Sequence, residues 1–168
     1  NNGNLMKKIN YVNGIKEGTL ESYFIEGQLK EKGKYNNDLK EGLWIEYYRN
    51  SIIMFEGKFS KGKKNLNWIK FNSNGQIIYE YKYESGKLLG EIKKNYYTNG
   101  EILSEVSITN GIKEGEWTEY YQNGKLKEKG NYKQDKKNGL WINFDKNENI
   151  LDEKMFSLGE FIGKPVRE

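Results

Sequence analysis

"YYQNGKLKEKGNY", residues 120–132, respells most of "GQLKEKGKY", residues 27–35. Self-similarity at a fixed period is the mark of a repeat architecture, and the register extends along the whole chain. Aligning the tryptophans of "GLW" and "GEW" brings Leu20, Trp44, Trp68, Lys93, Trp117 and Trp141 into one column, with steps of 24, 24, 25, 24 and 24. Three residues later every unit has an aromatic: Tyr23, Tyr47, Phe71, Tyr96, Tyr120 and Phe144. Two residues earlier stand Gly18, Gly42, Leu66, Glu91 (with Gly90 beside it, where the extra residue falls), Gly115 and Gly139, and Gly163 opens a further unit.

The rest of each unit follows a turn, usually Asn-Gly: Asn2-Gly3, Glu26-Gly27, Asn50-Ser51, Asn74-Gly75, Asn99-Gly100, Asn123-Gly124 and Asn147-Glu148. Such pairs are expected to supply the positive φ angles of tight hairpin turns. An aliphatic residue comes two positions on, as at Leu29 or Leu126, and usually an aromatic six further, as at Tyr35 or Tyr132. A second turn residue recurs at Gly14, Asp38, Gly62, Gly86, Gly111, Asp135 and Gly159. Even spacing with polar residues between is strand periodicity. Each unit therefore reads strand, turn, strand, turn, with no stretch long enough for a helix.

The expected fold is all-β: an elongated single-layer antiparallel meander of stacked 24-residue β-hairpins, with about thirteen strands at the usual inter-strand spacing. It forms one repeat domain over residues 1–168, of about six units with partial units at both ends. Pro165, the only proline, stands where a seventh tryptophan is due and is expected to end pairing. Lys7 and Lys8 are expected to discourage further pairing at the opposite edge.

Composition agrees with a thin structure. Charged residues make up 31% of the 168 and mean hydropathy is −0.96, which leaves little material for a thick core, while 14% aromatic content argues against disorder. The chain has no cysteine and no histidine, so disulfides, thiolate chemistry and the common metal ligand are absent. No phosphate-binding loop, nucleophile elbow or calcium loop is spelled. Carboxylates recur with the period, as Glu17, Glu41 and Glu114, and read as surface decoration rather than an acid and base pair. The chain reads as a non-enzyme with no catalytic residue, cofactor or metal. The net charge of +4 is spread among interspersed acids, which argues against nucleic acid, and no apolar run spans a bilayer. The start at Asn1-Asn2-Gly3, inside a repeat and without Met, suggests a trimmed, exported or cell-surface form, with the cytoplasm as the alternative.

Units such as "NGKLKEKGNYKQDKKNGLWINF" and "NGIKEGEWTEYYQNG" resemble MORN repeats, and more closely the bacterial MORN-2 variant of YwqK-family antitoxin-like proteins. The resemblance implies a repeat of about two dozen residues forming a β-hairpin in a protein-binding scaffold. Toxin neutralisation and phospholipid contact are roles that the family names suggest. The sequence departs from the pattern at Lys93, at Leu66 and near Gly90, which makes the unit after Lys82 the place for a bend or a specialised surface.

Two aromatic rows carry the site expectations. The row Tyr23, Tyr47, Phe71, Tyr96, Tyr120 and Phe144 reads as the packing ladder between hairpins, with Gly18, Gly42, Gly115 and Gly139 as its structural companions. The row one residue on is irregular, and its Tyr48, Tyr97 and Tyr121, with Trp44, Trp117 and Trp141, are the candidate partner-binding residues. The expected partner is a protein: a toxin, an effector, or a host or envelope protein. The alternative is a carbohydrate- or phospholipid-binding module. The basic turns Lys61-Gly62-Lys63-Lys64 and Lys136-Lys137 are the candidates for phosphate contact, and membrane contact is not expected.

Overall fold

The structure is a computed structural model that describes residues 3 and 5–165; Asn2, of the first expected turn, lies outside them. Fourteen strands follow one another, one more than expected: β1 (Lys7–Val12), β2 (Ile15–Tyr23), β3 (Leu29–Asn36), β4 (Leu39–Tyr47), β5 (Ile53–Ser60), β6 (Lys63–Phe71), β7 (Ile77–Glu84), β8 (Lys87–Tyr96), β9 (Ile102–Thr109), β10 (Ile112–Tyr120), β11 (Leu126–Lys133), β12 (Lys136–Phe144), β13 (Ile150–Ser157) and β14 (Glu160–Gly163). Strand order is chain order and pairing is antiparallel, so the all-β meander of hairpins is borne out. No helix occurs among the described residues. The chain divides into two compact units, Asn1–Leu89 and Gly90–Glu168, and the division falls beside the extra residue at Gly90.

The two sets of turns differ in kind. Asn37-Asp38, Lys61-Gly62 and Gln134-Asp135 have positive φ at both members, as type I′ hairpins require. In the Asn-Gly set only the second member is left-handed, as at Gly27, Gly75 and Gly124. That corrects the expectation that Asn also supplies a positive φ there. The asparagine serves instead through its side chain: Asn123 Oδ1 accepts from the Lys125 amide at 3.2 Å, and Asn50 Oδ1 from Ile52 at 3.2 Å.

Strands β2, β4, β6, β10 and β12, which carry Leu20 and the four tryptophans, are each bulged on both sides. Opposite its end the return strand holds one extra residue: Glu46 pairs with Phe55 and Tyr47 with Ile53, leaving Met54 over, and Lys127 is left over in the same way. Opposite its start, Glu41 and Ile45 pair with Lys34 and Lys32, so this strand runs two residues longer. The slack is absorbed by a left-handed residue, Gly42 at φ 70°, and by Gly18, Gly115 and Gly139 elsewhere. Leu66 occupies the same conformation at φ 58° without glycine's freedom.

The first unit's core lies on one face of the sheet. Leu20, Trp44 and Trp68 are almost wholly buried there, with Ile9, Tyr35, Phe59, Tyr81 and Tyr83 packed around them. A single layer buries an indole by three means. The first is a glycine beneath it: a Cβ on Gly33 would lie 2.1 Å from the Trp44 ring, on Gly57 2.2 Å from Trp68, and on Gly130 2.3 Å from Trp141. The second is an edge-to-face run of rings, Tyr35, Trp44, Phe59 and Trp68, with centroids 5.5, 5.6 and 5.0 Å apart. The third is a lysine laid over each ring: Lys40 at 3.9 Å from Trp44, Lys64 at 4.3 Å from Trp68 and Lys137 at 3.7 Å from Trp141. The aliphatic stem excludes water while the ammonium meets the ring face. Burial there pulls the Lys64 ammonium below its ordinary pKa.

Candidate protein-binding face

The structure separates the residues named as a surface. Trp44 and Trp141 are 1% exposed and belong to the core, so they are withdrawn as partner-binding residues. Trp117 is only half-buried. Val106 faces it where Gly33, Gly57 and Gly130 serve the others, and the Trp117 indole nitrogen has no hydrogen-bond partner. The seated indoles do have one: Trp44 donates to Glu31 at 2.6 Å, Trp68 to the Lys58 carbonyl at 3.0 Å and Trp141 to the Asn131 carbonyl at 3.1 Å. A side chain beneath the ring holds it off its seat.

Tyr48, Tyr97 and Tyr121 are also structural. Their hydroxyls donate to the carbonyls of Phe71, Tyr120 and Phe144, at 2.8, 2.7 and 2.7 Å, each 23 residues ahead. The irregular row is therefore a set of ties between successive hairpins. Where the row has Asn72 or Asp145, the side chain turns back to cap its own turn. Asp145 accepts from the Asn147 and Asn149 amides and the Asn149 side chain, and the Asn149 bonds hold its carboxyl below the usual range.

The recurring carboxylates are not decoration either. Glu17, Glu41 and Glu114 accept from the amides of Asn37, Lys61 and Gln134 at 2.8–2.9 Å, each 20 residues ahead in the next type I′ turn. Asp38, Gly62, Gly86, Asp135 and Gly159 donate their amides to the carbonyls of Lys16, Lys40, Lys64, Lys113 and Lys137. The basic turns are partly explained by the same geometry, since Lys64 and Lys137 are folded over indoles rather than presented to phosphate.

What remains free is the opposite face. With tryptophans drawn to one side, the residues flanking them point to the other, where Leu43 is 53% and Leu140 37% exposed beside Ile45 and Ile142. In the first unit Thr19, Lys32, Lys34, Leu43 and Ile45 line a groove of about 380 Å³. In the second, Glu116, Lys129, Asn131, Leu140 and Ile142 line one of about 440 Å³. These positions correspond one to one, 97 residues apart. Each floor is aliphatic and each wall polar, and neither brings together two carboxylates. Among the described residues no cluster of three metal-ligating side chains occurs. The expected row Tyr23, Tyr47, Tyr96 and Tyr120 borders this face: Lys32 lies 5.9 Å from the Tyr47 ring, and the hydroxyls of Tyr23 and Tyr120 donate to Glu21 and Glu105.

The grooves were not foreseen from the sequence. The signal was present in Leu43 and Leu140, apolar residues beside a tryptophan on a strand whose alternation sends the two to opposite faces.

A family model for a MORN repeat variant matches the chain twice, at residues 40–61 and 113–134. Both matches begin at or beside a lysine that lies over an indole, Lys40 or Lys113, and reach the next type I′ turn. These two stretches of the hairpin meander are similar to MORN-variant repeats. Nothing among the curated proteins matches.

Proposed function

We propose that the chain is a non-enzymatic repeat scaffold that binds a protein partner through the face opposite its tryptophans. The observation that carries this reading is the recurrence of one groove, with an aliphatic floor and polar walls, at equivalent positions of both units. Exposed apolar residues rimmed by charge are how protein interfaces present themselves. A toxin in an antitoxin-like pair, an effector, or a host or envelope protein are forms of the same reading, and they differ only in the partner.

Photo-crosslinkers placed at Thr19 and at Glu116, on the walls of the two grooves, test it in the natural host. The expected result is one protein captured from both positions, with capture lost in the Leu43→Asp/Leu140→Asp variant and its thermal midpoint unchanged. Capture indifferent to that variant overturns the reading. So does binding of glycans or of anionic vesicles that the variant abolishes.

A further inference from the structure

The two units carry the same groove but different charge beside it. Residues 1–89 hold 15 Lys and Arg against 10 Asp and Glu, and residues 90–168 hold 13 against 14. Much of the difference lies in one column of the groove face. Lys34, Lys58 and Lys82 stand on alternate strands β3, β5 and β7, paired across to Thr19, Leu43 and Asn67. Three repeats further on, 73 residues along the chain, the same column holds Ser107, Asn131 and Met155, paired to Ile92, Glu116 and Leu140. All three lysines are exposed, and among the described residues none is placed in a salt bridge. They differ in this from Lys40, Lys64 and Lys137, which are committed to indoles.

We infer that this lysine column receives an extended acidic segment of a protein partner in polyproline II conformation, with a carboxylate at every third residue. The inference rests on the protein-binding reading above. Alternate strands stand about 9.6 Å apart, twice the inter-strand distance. Polyproline II rises about 3.1 Å per residue with three residues per turn, so its every third side chain returns to the same side after about 9.3 Å. A β-strand does not offer this, because residues three apart point to opposite faces. A segment lying across the strands thus sets one carboxylate on each lysine, with the exposed Leu43 between the first two.

Other polyanions fit less well. Glu56 and Glu80 lie two residues before Lys58 and Lys82 on the same face, and they repel an evenly charged phosphate backbone. A peptide avoids this by placing neutral or basic residues opposite them. A flat anionic membrane meets a different obstacle. Strands twist by about 20–25° each, so the lysine directions fan out between β3 and β7; a flexible peptide follows them by winding about 15° per residue away from exact threefold symmetry, which a flat surface cannot do.

The test uses the whole chain and three synthetic probes. These are a fluorescent peptide of repeated Glu-Pro-Pro triplets, a peptide of the same composition with its glutamates adjacent, and vesicles with a third of their lipid anionic. Anisotropy titrations at low salt should show the triplet peptide binding about tenfold tighter than the rearranged one, the scale of a few exposed charge pairs acting together. The Lys34→Asn/Lys58→Asn/Lys82→Asn variant, with an unchanged thermal midpoint, should erase that preference. Equal binding of the two peptides, a preference that survives the triple substitution, or vesicle binding that the substitution abolishes overturns the inference. If the peptides fail while Leu43→Asp/Leu140→Asp still abolishes capture of a partner, only the lysine column is refuted. If that capture fails as well, the protein-binding reading falls with it.

Discussion

Strands β6 and β10 occupy the same place in the repeat, and they solve its problems differently. On β6, Trp68 is buried over Gly57 and donates to a carbonyl, but the bulge is made by Leu66, a residue ill suited to a left-handed backbone. On β10 the bulge is made by Gly115 at φ 104°, while Trp117 faces Val106 and its indole nitrogen is orphaned. Four residues past the tryptophan, β6 leads to Asn72, which caps its own turn, whereas β10 leads to Tyr121, which ties to the next hairpin. The difference teaches that tryptophan alone does not make the core. The seat is a joint product of a glycine on the neighbouring strand, a left-handed bulge residue and a lysine above the ring, and each strand tolerates one flaw among them.

Filling the seat should break the comparison most severely. Gly57→Ala places a carbon 2.2 Å from the Trp68 ring, far inside van der Waals contact, so the buried ring must shift. The expected loss is about 3 kcal/mol in a urea titration followed by tryptophan fluorescence, at the upper end of overpacking costs. An unchanged midpoint would show that the seat is looser than described. Repairing the bulge should sharpen the comparison in the other direction. Leu66→Gly relieves a left-handed leucine that is 56% exposed and loses little burial, so it should raise stability by about 1 kcal/mol in the same titration. The smallest expected change belongs to the tie. Tyr121→Phe removes one hydroxyl bond to the Phe144 carbonyl and should cost about 1 kcal/mol or less, read most directly as faster amide exchange in the turn between Phe144 and Ile150.

The fold was legible because its signals are local and repeated. The turn residues, the alternation and the column through Leu20, Trp44 and Trp68 recur every two dozen positions, and the strands follow them. Roles across strands were not legible. Deciding what lies beneath Trp44 requires knowing that β4 runs two residues longer than β3 on one side, and that β5 holds one extra residue on the other. Without those counts, Gly33 reads as composition, Glu41 as decoration and Tyr48 as a free aromatic. The lysine four residues before each tryptophan was visible throughout, at Lys40, Lys64, Lys113 and Lys137, and Lys16 stands in the same relation to Leu20. In the one strand where lysine replaces tryptophan, at Lys93, that position is Leu89. The pattern was missed because a basic residue beside a turn is ordinarily a solvated one.

Within the 24-residue steps the bonds that join successive hairpins recur at the same distances: an acid or amide 20 residues back, a carbonyl 22 back, and a hydroxyl 23 back from the carbonyl it binds. A hairpin inserted or removed as a whole would find identical partners at both of its borders, whereas one cut in mid-unit would find none. Length in such a chain is therefore a quantity that duplication can adjust without redesigning a joint, and single divergent hairpins, like the one around Lys93, can specialise while their neighbours keep the frame.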